Sequence, residues 1–233
     1  MSSILVTGSS GMIGTALCER LRKCGHQVTG MDRNLNQWNK EPTCLVDLLK
    51  PDALDDVGAL DCEWDYVIHL AANARVHDLV ENPALALENC ISTFNVLEFC
   101  RKAKPGGVIF ASSRECYGNL EVQPVSEDAI RLEEILSPYA ASKLYGEALL
   151  RSYNRCYGLR GIVVRFSNVY GQYDQSDRLV PKFIRDSLEG KPLTIYGDHK
   201  TLDFTYLDDA VDGVMFLLHH KAPAMGRGHA YNI

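Results

Sequence analysis

Tyr139-Ala-Ala-Ser-Lys143 sets a phenol and an ammonium four residues apart. In a helix these positions share a face. A lysine cation near a phenol lowers its pKa, giving a base that can take a proton from an alcohol. Ser137-Pro138 supplies an N-cap and first helical residue, so the pair falls at the start of a helix. A second Tyr-x-x-x-Lys, Tyr196 to Lys200, has Gly-Asp inside it and reads as a turn. In Ser112-Ser113-Arg114-Glu115-Cys116-Tyr117-Gly118, a hydroxyl can bond a substrate oxygen and a carboxylate can move a proton. The bland alternative there is a capping serine and a solvated glutamate. Cys116 has no base placed for it and reads as a packing thiol. Thr7-Gly8-Ser9-Ser10-Gly11-Met12-Ile13-Gly14 has the glycine spacing of a turn whose backbone approaches a pyrophosphate at a helix N-terminus. Asp32 follows it by 18 residues, the place for a carboxylate that binds both adenosine ribose hydroxyls and repels a 2′-phosphate. NAD is therefore expected over NADP, although Arg33 beside it is a residue type that tolerates a 2′-phosphate. Asp47 is either a partner for the adenine amino group or a loop aspartate.

Chemistry of this kind needs a rigid frame, and the apolar pattern supplies one. Strands are expected at Ile4–Thr7, Gln27–Asp32, Cys44–Val46, Tyr66–Leu70, Gly107–Ser112 and Gly161–Phe166. Helices are expected near 12–24, after Asn82-Pro83 as N-cap and first residue, from Ser137-Pro138 to Gly158, near 178–189 and over Asp208–His220. Strand–helix alternation with buried strands is the pattern of an α/β, doubly wound parallel sheet, the Rossmann fold. Ligands in such sheets bind beyond the carboxyl ends of the strands, where the polar motifs fall. After Asn168 the rhythm changes to loops, one helix and a short strand near Leu193–Tyr196; His229–Ile233 reads as a last strand. The expected organisation is a dinucleotide domain over 1–167, a helix near 207–220 packed back on it, and a smaller, truncated substrate lobe from 168–206 and 221–233.

The chain has 233 residues, 46% of them hydrophobic, enough for a substantial core. Its net charge of −6 and lack of a basic cluster give no support to nucleic-acid binding. No apolar run approaches membrane-spanning length, and the N-terminus lacks the pattern of a secretory signal. The eight cysteines include no C-x-x-C pair, so reduced thiols in a cytoplasmic protein are expected.

In order and position, these motifs resemble the extended short-chain dehydrogenase/reductase family, specifically its NAD-dependent nucleotide-sugar epimerases and dehydratases. The resemblance also takes in His69-Leu70-Ala71-Ala72, Asn89, Arg165-Phe-Ser-Asn-Val-Tyr-Gly171, Val180-Pro181, Leu193 to Gly197 and Asp203 to Asp209. It implies NAD held by Gly8, Gly11, Met12, Ile13, Gly14, Asp32, Asp47, Leu48, Leu70, Ala71, Ala72, Asn89, Ser112, Tyr139, Lys143, Phe166 and Val169. Tyr139 would be the base and acid at the sugar C4 hydroxyl, Lys143 would hold the nicotinamide ribose, and Ser113 would orient the C4 oxygen. Asn168 and Arg178 would meet the nucleotide sugar. Leu202 stands where the family usually has a phosphate-binding arginine, which Arg178 or Lys200 would replace; Gln172 stands for its usual proline.

The resemblance implies an enzyme that oxidises sugar C4 transiently. Glu115 leans towards a dehydratase, in which a carboxylate removes the C5 proton, but Arg114 stands in place of the neighbouring acid of 4,6-dehydratases. A 4-epimerase or a uronic-acid decarboxylase are the alternatives. A non-catalytic NAD-binding regulator is a further reading, disfavoured because Tyr139 and Lys143 are both present; Asp32 and the segments after Phe166 disfavour an NADP-linked ketone reductase. A homodimer is expected, built on the two long helices and on Phe94, Phe99, Leu149, Tyr153 and Tyr157. No metal site is expected.

Overall fold

Apolar strands and the helices between them follow one another in a regular order. The computed structural model describes residues 1–38, 42–119, 124–195, 197, 201–220 and 228–233. Its elements are β1 (Ser3–Thr7), α1 (Met12–Lys23), β2 (Gln27–Asp32), β3 (Thr43–Leu45), α2 (Ala53–Asp56), β4 (Tyr66–His69), α3 (Val76–Glu81), α4 (Ala84–Ala103) and β5 (Gly107–Ser113). There follow α5 (Pro138–Tyr157), β6 (Gly161–Phe166), β7 (Asn168–Tyr170), α6 (Leu179–Leu188), β8 (Phe204–Tyr206), α7 (Leu207–His220) and β9 (Ala230–Asn232).

Seven strands form one sheet in the order β3-β2-β1-β4-β5-β6-β9, every neighbouring pair parallel. Thr7 stands opposite both Met31 and His69, and Ser113 opposite Phe166, so the carboxyl ends of the central strands reach one edge. The strand order reverses between β1 and β4, which opens a crevice at that edge. Alternate side chains of β1 feed opposite faces. Ile4 and Val6 pack with Leu17 and Leu21 of α1 and with Leu207, Val211 and Val214 of α7. Leu5 packs with Val96, Leu97 and Phe99 of α4 and with Leu150 of α5. Each large aliphatic side chain sealed this way contributes about 1.5–3 kcal/mol.

Several expectations are revised. The strand expected over Leu193–Tyr196 does not form at Leu193–Ile195, and Tyr196 and Lys200 lie outside the described residues. The second sheet is instead β7 paired in parallel with β8. β9 joins the large sheet beside β6, so this part of 221–233 belongs to the main layer and not to a second lobe. Asn82 does not cap α4 with its side chain; its carbonyl accepts from the Leu85 amide, and Pro83 occupies the cap position. α7 packs on the sheet through Leu207, Val211 and Val214. Among the residues expected at a dimer face, Phe99 and Tyr153 are buried in the protomer's own core. Phe94 and Tyr157 are exposed.

Candidate active site

The turn after β1 is shaped by contacts only glycine permits. Gly8 has φ of +74°, and a Cβ there would lie 2.6 Å from the Ala71 nitrogen. A Cβ on Gly14 would lie 2.1 Å from the Gly8 carbonyl oxygen. Helix α1 therefore packs tightly against the turn, and its N-terminus has no side-chain cap at Gly11. Gly8, Gly11, Met12, Ile13 and Gly14 line a cleft of about 1250 Å³ at the carboxyl edge of the sheet. Asp32 at the end of β2 also lines it; its carboxylate accepts from the Ser10 amide (3.1 Å) and the Asn34 amide (2.9 Å). A cleft of this size, a glycine cradle at an uncapped helix N-terminus and a carboxylate at the next strand end fit a dinucleotide.

The same cleft is lined by Asp47, Leu48, Leu70, Ala71, Ala72, Asn89, Ser112, Ser113, Glu115, Tyr139, Lys143, Phe166, Asn168, Val169 and Arg178. Together with the residues above, these are the expected cofactor, catalytic and substrate residues; Lys200 lies outside the described residues. Ser137 caps α5 through a bond from the Ala140 amide (3.1 Å), and Pro138 opens it, which fixes Tyr139 and Lys143 one turn apart. Lys143 is buried, and its Nζ donates to the Ala111 carbonyl (2.8 Å). Burial lowers this ammonium to about 8, with Cys116 and the Glu147 carboxylate acting in the opposite direction. Burial raises the Tyr139 phenol to about 12, while Ser113, hydrogen-bonded to it, pulls it down. Glu115 is in an ion pair with Arg114 (3.0 Å). Arg178 donates to the Ala74 carbonyl (3.2 Å) at the rim, and Leu202 lies in the cleft wall as an apolar residue.

Three features were given no role by the sequence. Asn73 is a hub: its amide donates to Asn89 Oδ1 (2.7 Å), its Nδ2 to Glu88 (2.9 Å), and its Oδ1 accepts from Arg33 (3.1 Å). That contact ties Arg33 to the segment after β4, both in the cleft lining. His69 is buried between Thr7 (2.7 Å) and Thr93 (3.2 Å), and burial, then the Lys143 charge, lowers it to about 3. Glu147 and Arg165 form an ion pair (2.7 Å) below the site, each 1% exposed. His69 and Arg165 stood inside motifs of the resemblance without a role, and Glu147 repeats the helical spacing one turn after Lys143.

The model of the NAD dependent epimerase/dehydratase family matches residues 4–233. Over 246 residues the chain is 35% identical to UDP-glucuronate 4-epimerase 1 of Arabidopsis thaliana, covering 97% of this chain and 57% of that protein. The chain thus spans less than two thirds of the length of this curated relative. Among solved structures, a UDP-glucose 4-epimerase from Thermotoga maritima with UDP-glucose aligns at a TM-score of 0.89, with 30% identity, over 99% of this chain and 76% of that one. A dTDP-glucose 4,6-dehydratase from Streptomyces venezuelae with NAD bound aligns at 0.82, with 26% identity, over 99% and 75%. No described helix is long and apolar enough to cross a membrane, and no described cluster of side chains has the makings of a metal site.

Proposed function

The chain belongs to the NAD-dependent epimerase/dehydratase family, and on that footing we propose that it binds NAD and a nucleotide sugar and oxidises the sugar transiently at C4. The observation that carries this reading is the convergence of Tyr139, Lys143 and Ser113 with the glycine cradle in one cleft. NAD, when bound, would supply the hydride acceptor and donor that C4 needs. Tyr139 Oη takes the C4 hydroxyl proton as the C4–H bond breaks, leaving a C4 ketone, and gives a proton back when the ketone is reduced. Lys143 keeps a positive charge beside the phenol and binds the ribose. Ser113 holds the C4 oxygen. Gly8, Gly11, Met12, Ile13 and Gly14 receive the pyrophosphate and Asp32 the adenosine ribose. Asp47, Leu48, Leu70, Ala71, Ala72, Asn89, Ser112, Phe166 and Val169 complete the cofactor wall. Asn168 and Arg178 receive the nucleotide phosphates, with Arg178 in place of the arginine absent at Leu202.

For the fate of the ketone, 4-epimerisation is the first reading. Glu115 is engaged by Arg114 and so held back from a C5 proton, and the relatives named above include a UDP-glucuronate 4-epimerase. Elimination is the second, because Glu115 is a carboxylate in the cleft. Incubation with UDP-glucose, UDP-glucuronate, GDP-mannose and dTDP-glucose in D2O, read by mass spectrometry and NMR, separates them. Unchanged mass with inversion and no deuterium at C5 supports epimerisation; loss of water with deuterium at C5 supports elimination; loss of CO2 supports decarboxylation. No turnover of any of them sinks the enzymatic reading. Asp32→Ala is expected to erase the preference for NAD over NADP in a binding titration, and equal affinities in the unmutated protein would overturn that role.

The organisation we infer is a dinucleotide domain with a smaller sugar-binding lobe around β7, β8 and α6. Leu87, Ile91, Phe94, Tyr145 and Tyr157 are exposed on α4 and α5 and supply an apolar face for a homodimer, checked by light scattering. Cysteines without disulfide bonds suit a reducing, cytoplasmic setting.

A further inference from the structure

Beneath the cleft lies an ion pair whose two side chains are each 1% exposed, with the partly exposed Arg151 guanidinium 3.7 Å from the same carboxylate. Glu147 sits on α5 one turn past Lys143 and two turns past Tyr139. Its Oε1 accepts from the Ser112 hydroxyl (2.6 Å) and from Arg165 Nε (2.9 Å), and its Oε2 accepts from Arg165 Nη2 (2.7 Å). Arg165 stands opposite Ser112 in the β5–β6 register. Its Nη1 donates to the Tyr117 hydroxyl (2.7 Å) and the Glu127 carbonyl (2.7 Å). The Tyr117 hydroxyl in turn donates to Asn232 Oδ1 on β9 (2.6 Å). Tyr117 ends the short turn Arg114–Tyr117, which carries Glu115. One ion pair thus connects the helix that carries Tyr139 and Lys143, the strand end that carries Ser112 and Ser113, and the turn that carries Glu115.

Stability alone is a poor reason for such a pair. Removing two charges from water costs several kcal/mol per ion, and apolar replacements of similar volume are often neutral or stabilising. A fork of fixed hydrogen bonds offers orientation instead. We propose that Glu147 and Arg165 are positioning residues, whose ion pair aligns the Tyr139–Lys143 face of α5 with Ser112, Ser113 and the turn bearing Glu115. This rests on the C4-oxidation reading above. The pair also acts on charge. The groups facing Lys143 are the Ala111 carbonyl on β5, Cys116 in the turn, the neutral His69 on β4, and Tyr139 and Glu147 on its own helix. The Glu147 carboxylate favours the charged form of Lys143. Neutralising Glu147 removes that carboxylate and leaves the guanidinium groups of Arg165 and Arg151 without it, which disfavours that form. A less charged Lys143 stabilises a Tyr139 phenolate less, so base catalysis by Tyr139 moves to higher pH.

The test uses Glu147→Gln, which keeps the shape and an acceptor, and Ser112→Ala, which leaves the ion pair and cuts one link. Lysine Cε resonances are followed by NMR against pH, with that of Lys143 identified by its loss in Lys143→Arg. Turnover is measured with UDP-glucuronate and UDP-glucose across pH, and melting temperature gives the folded fraction. In Glu147→Gln the Lys143 pKa is expected to fall. The alkaline shift of the kcat profile follows, and kcat falls about 10²-fold, the scale of a displacement of about 1 Å, with KM little changed. In Ser112→Ala kcat falls with the melting temperature nearly kept. An unmoved Lys143 titration and unchanged kcat per folded molecule in both variants would overturn the proposal. If the unmutated protein turns over neither sugar, the functional reading fails on its own. The Lys143 titration then decides the positioning role: a shift supports it, and none overturns it.

Discussion

Strands β5 and β6 bury every residue they contain, whereas the ten residues of α6, on the outer wall of the same cleft, bury none. The floor is held from all sides by Phe110, Ile162, Val163 and Leu150, with the Glu147–Arg165 pair sealed among them. The wall shows Ile184 and Leu188 to solvent on one helical stripe, and is tied by surface pairs such as Arg185 with Asp177. A rigid floor suits groups that must hold a reacting atom in place. A wall with little packing of its own suits groups that close on a ligand. The roles proposed here follow that division: Tyr139, Lys143 and Ser113 stand on the floor, and Arg178 on the wall.

The largest effect expected from this contrast is kinetic. Tyr139→Phe keeps the buried ring and removes the hydroxyl, so the protein is expected to fold and bind NAD while C4 oxidation falls about 10²–10⁴-fold. Arg178→Ala, on the wall, is expected to raise KM more than it lowers kcat. Steady-state kinetics of both variants check the division, and a kcat effect in Arg178→Ala as large as that in Tyr139→Phe would erase it.

Next comes stability. Leu150 is fully buried and lies against Gly161, where a Cβ would approach its Cδ1 to 2.8 Å. Leu150→Ala is therefore expected to cost about 2–5 kcal/mol in urea unfolding. A loss under about 1 kcal/mol would show that the floor is less tightly packed than its burial indicates.

How legible these regions were depended on where their partners lie in the chain. β5 and β6 were readable because a strand covered on both faces is a continuous apolar run. Tyr139 and Lys143 were readable because Ser137-Pro138 declares the start of their helix. The short strands β7 and β8 were not, because a three-residue strand depends on pairing with a distant segment: Val169 on Thr205, and Tyr170 on Tyr206. Phe99 and Tyr153 were misplaced for a related reason. On a helix packed against both a sheet and another helix, the apolar arc is too wide for periodicity to separate the core from a dimer face. Asn73 and Arg165 drew their significance from partners at distant positions, Asn89 and Arg33 for the one, Glu147 and Tyr117 for the other, that no local spacing connects.

A third effect grades the floor by pH. His69 is buried and neutral, with its pKa lowered to about 3 from 6.5. Between these values the unfolded chain binds a proton that the folded one refuses, so this residue's contribution to stability falls as pH drops below 6.5, by up to about 1.4 kcal/mol per pH unit. Urea unfolding at several pH values is expected to show this slope, and His69→Asn to flatten it. An identical slope in the variant would assign acid sensitivity elsewhere.

The smallest effect is the one that most directly tests the wall. Leu188 is 84% exposed at the end of α6, so little apolar area is withdrawn from water there on folding. Leu188→Ser is expected to change stability by no more than about 0.5 kcal/mol, and the lower helix propensity of serine accounts for part of that. The same urea titration that reads Leu150→Ala reads this variant, so the two values share one reference state. A loss near that of Leu150→Ala would mean that Leu188 is covered in solution, either by a second copy of the chain or by residues outside those described. Running the titration at two protein concentrations separates these outcomes, because only a dimer contact weakens on dilution.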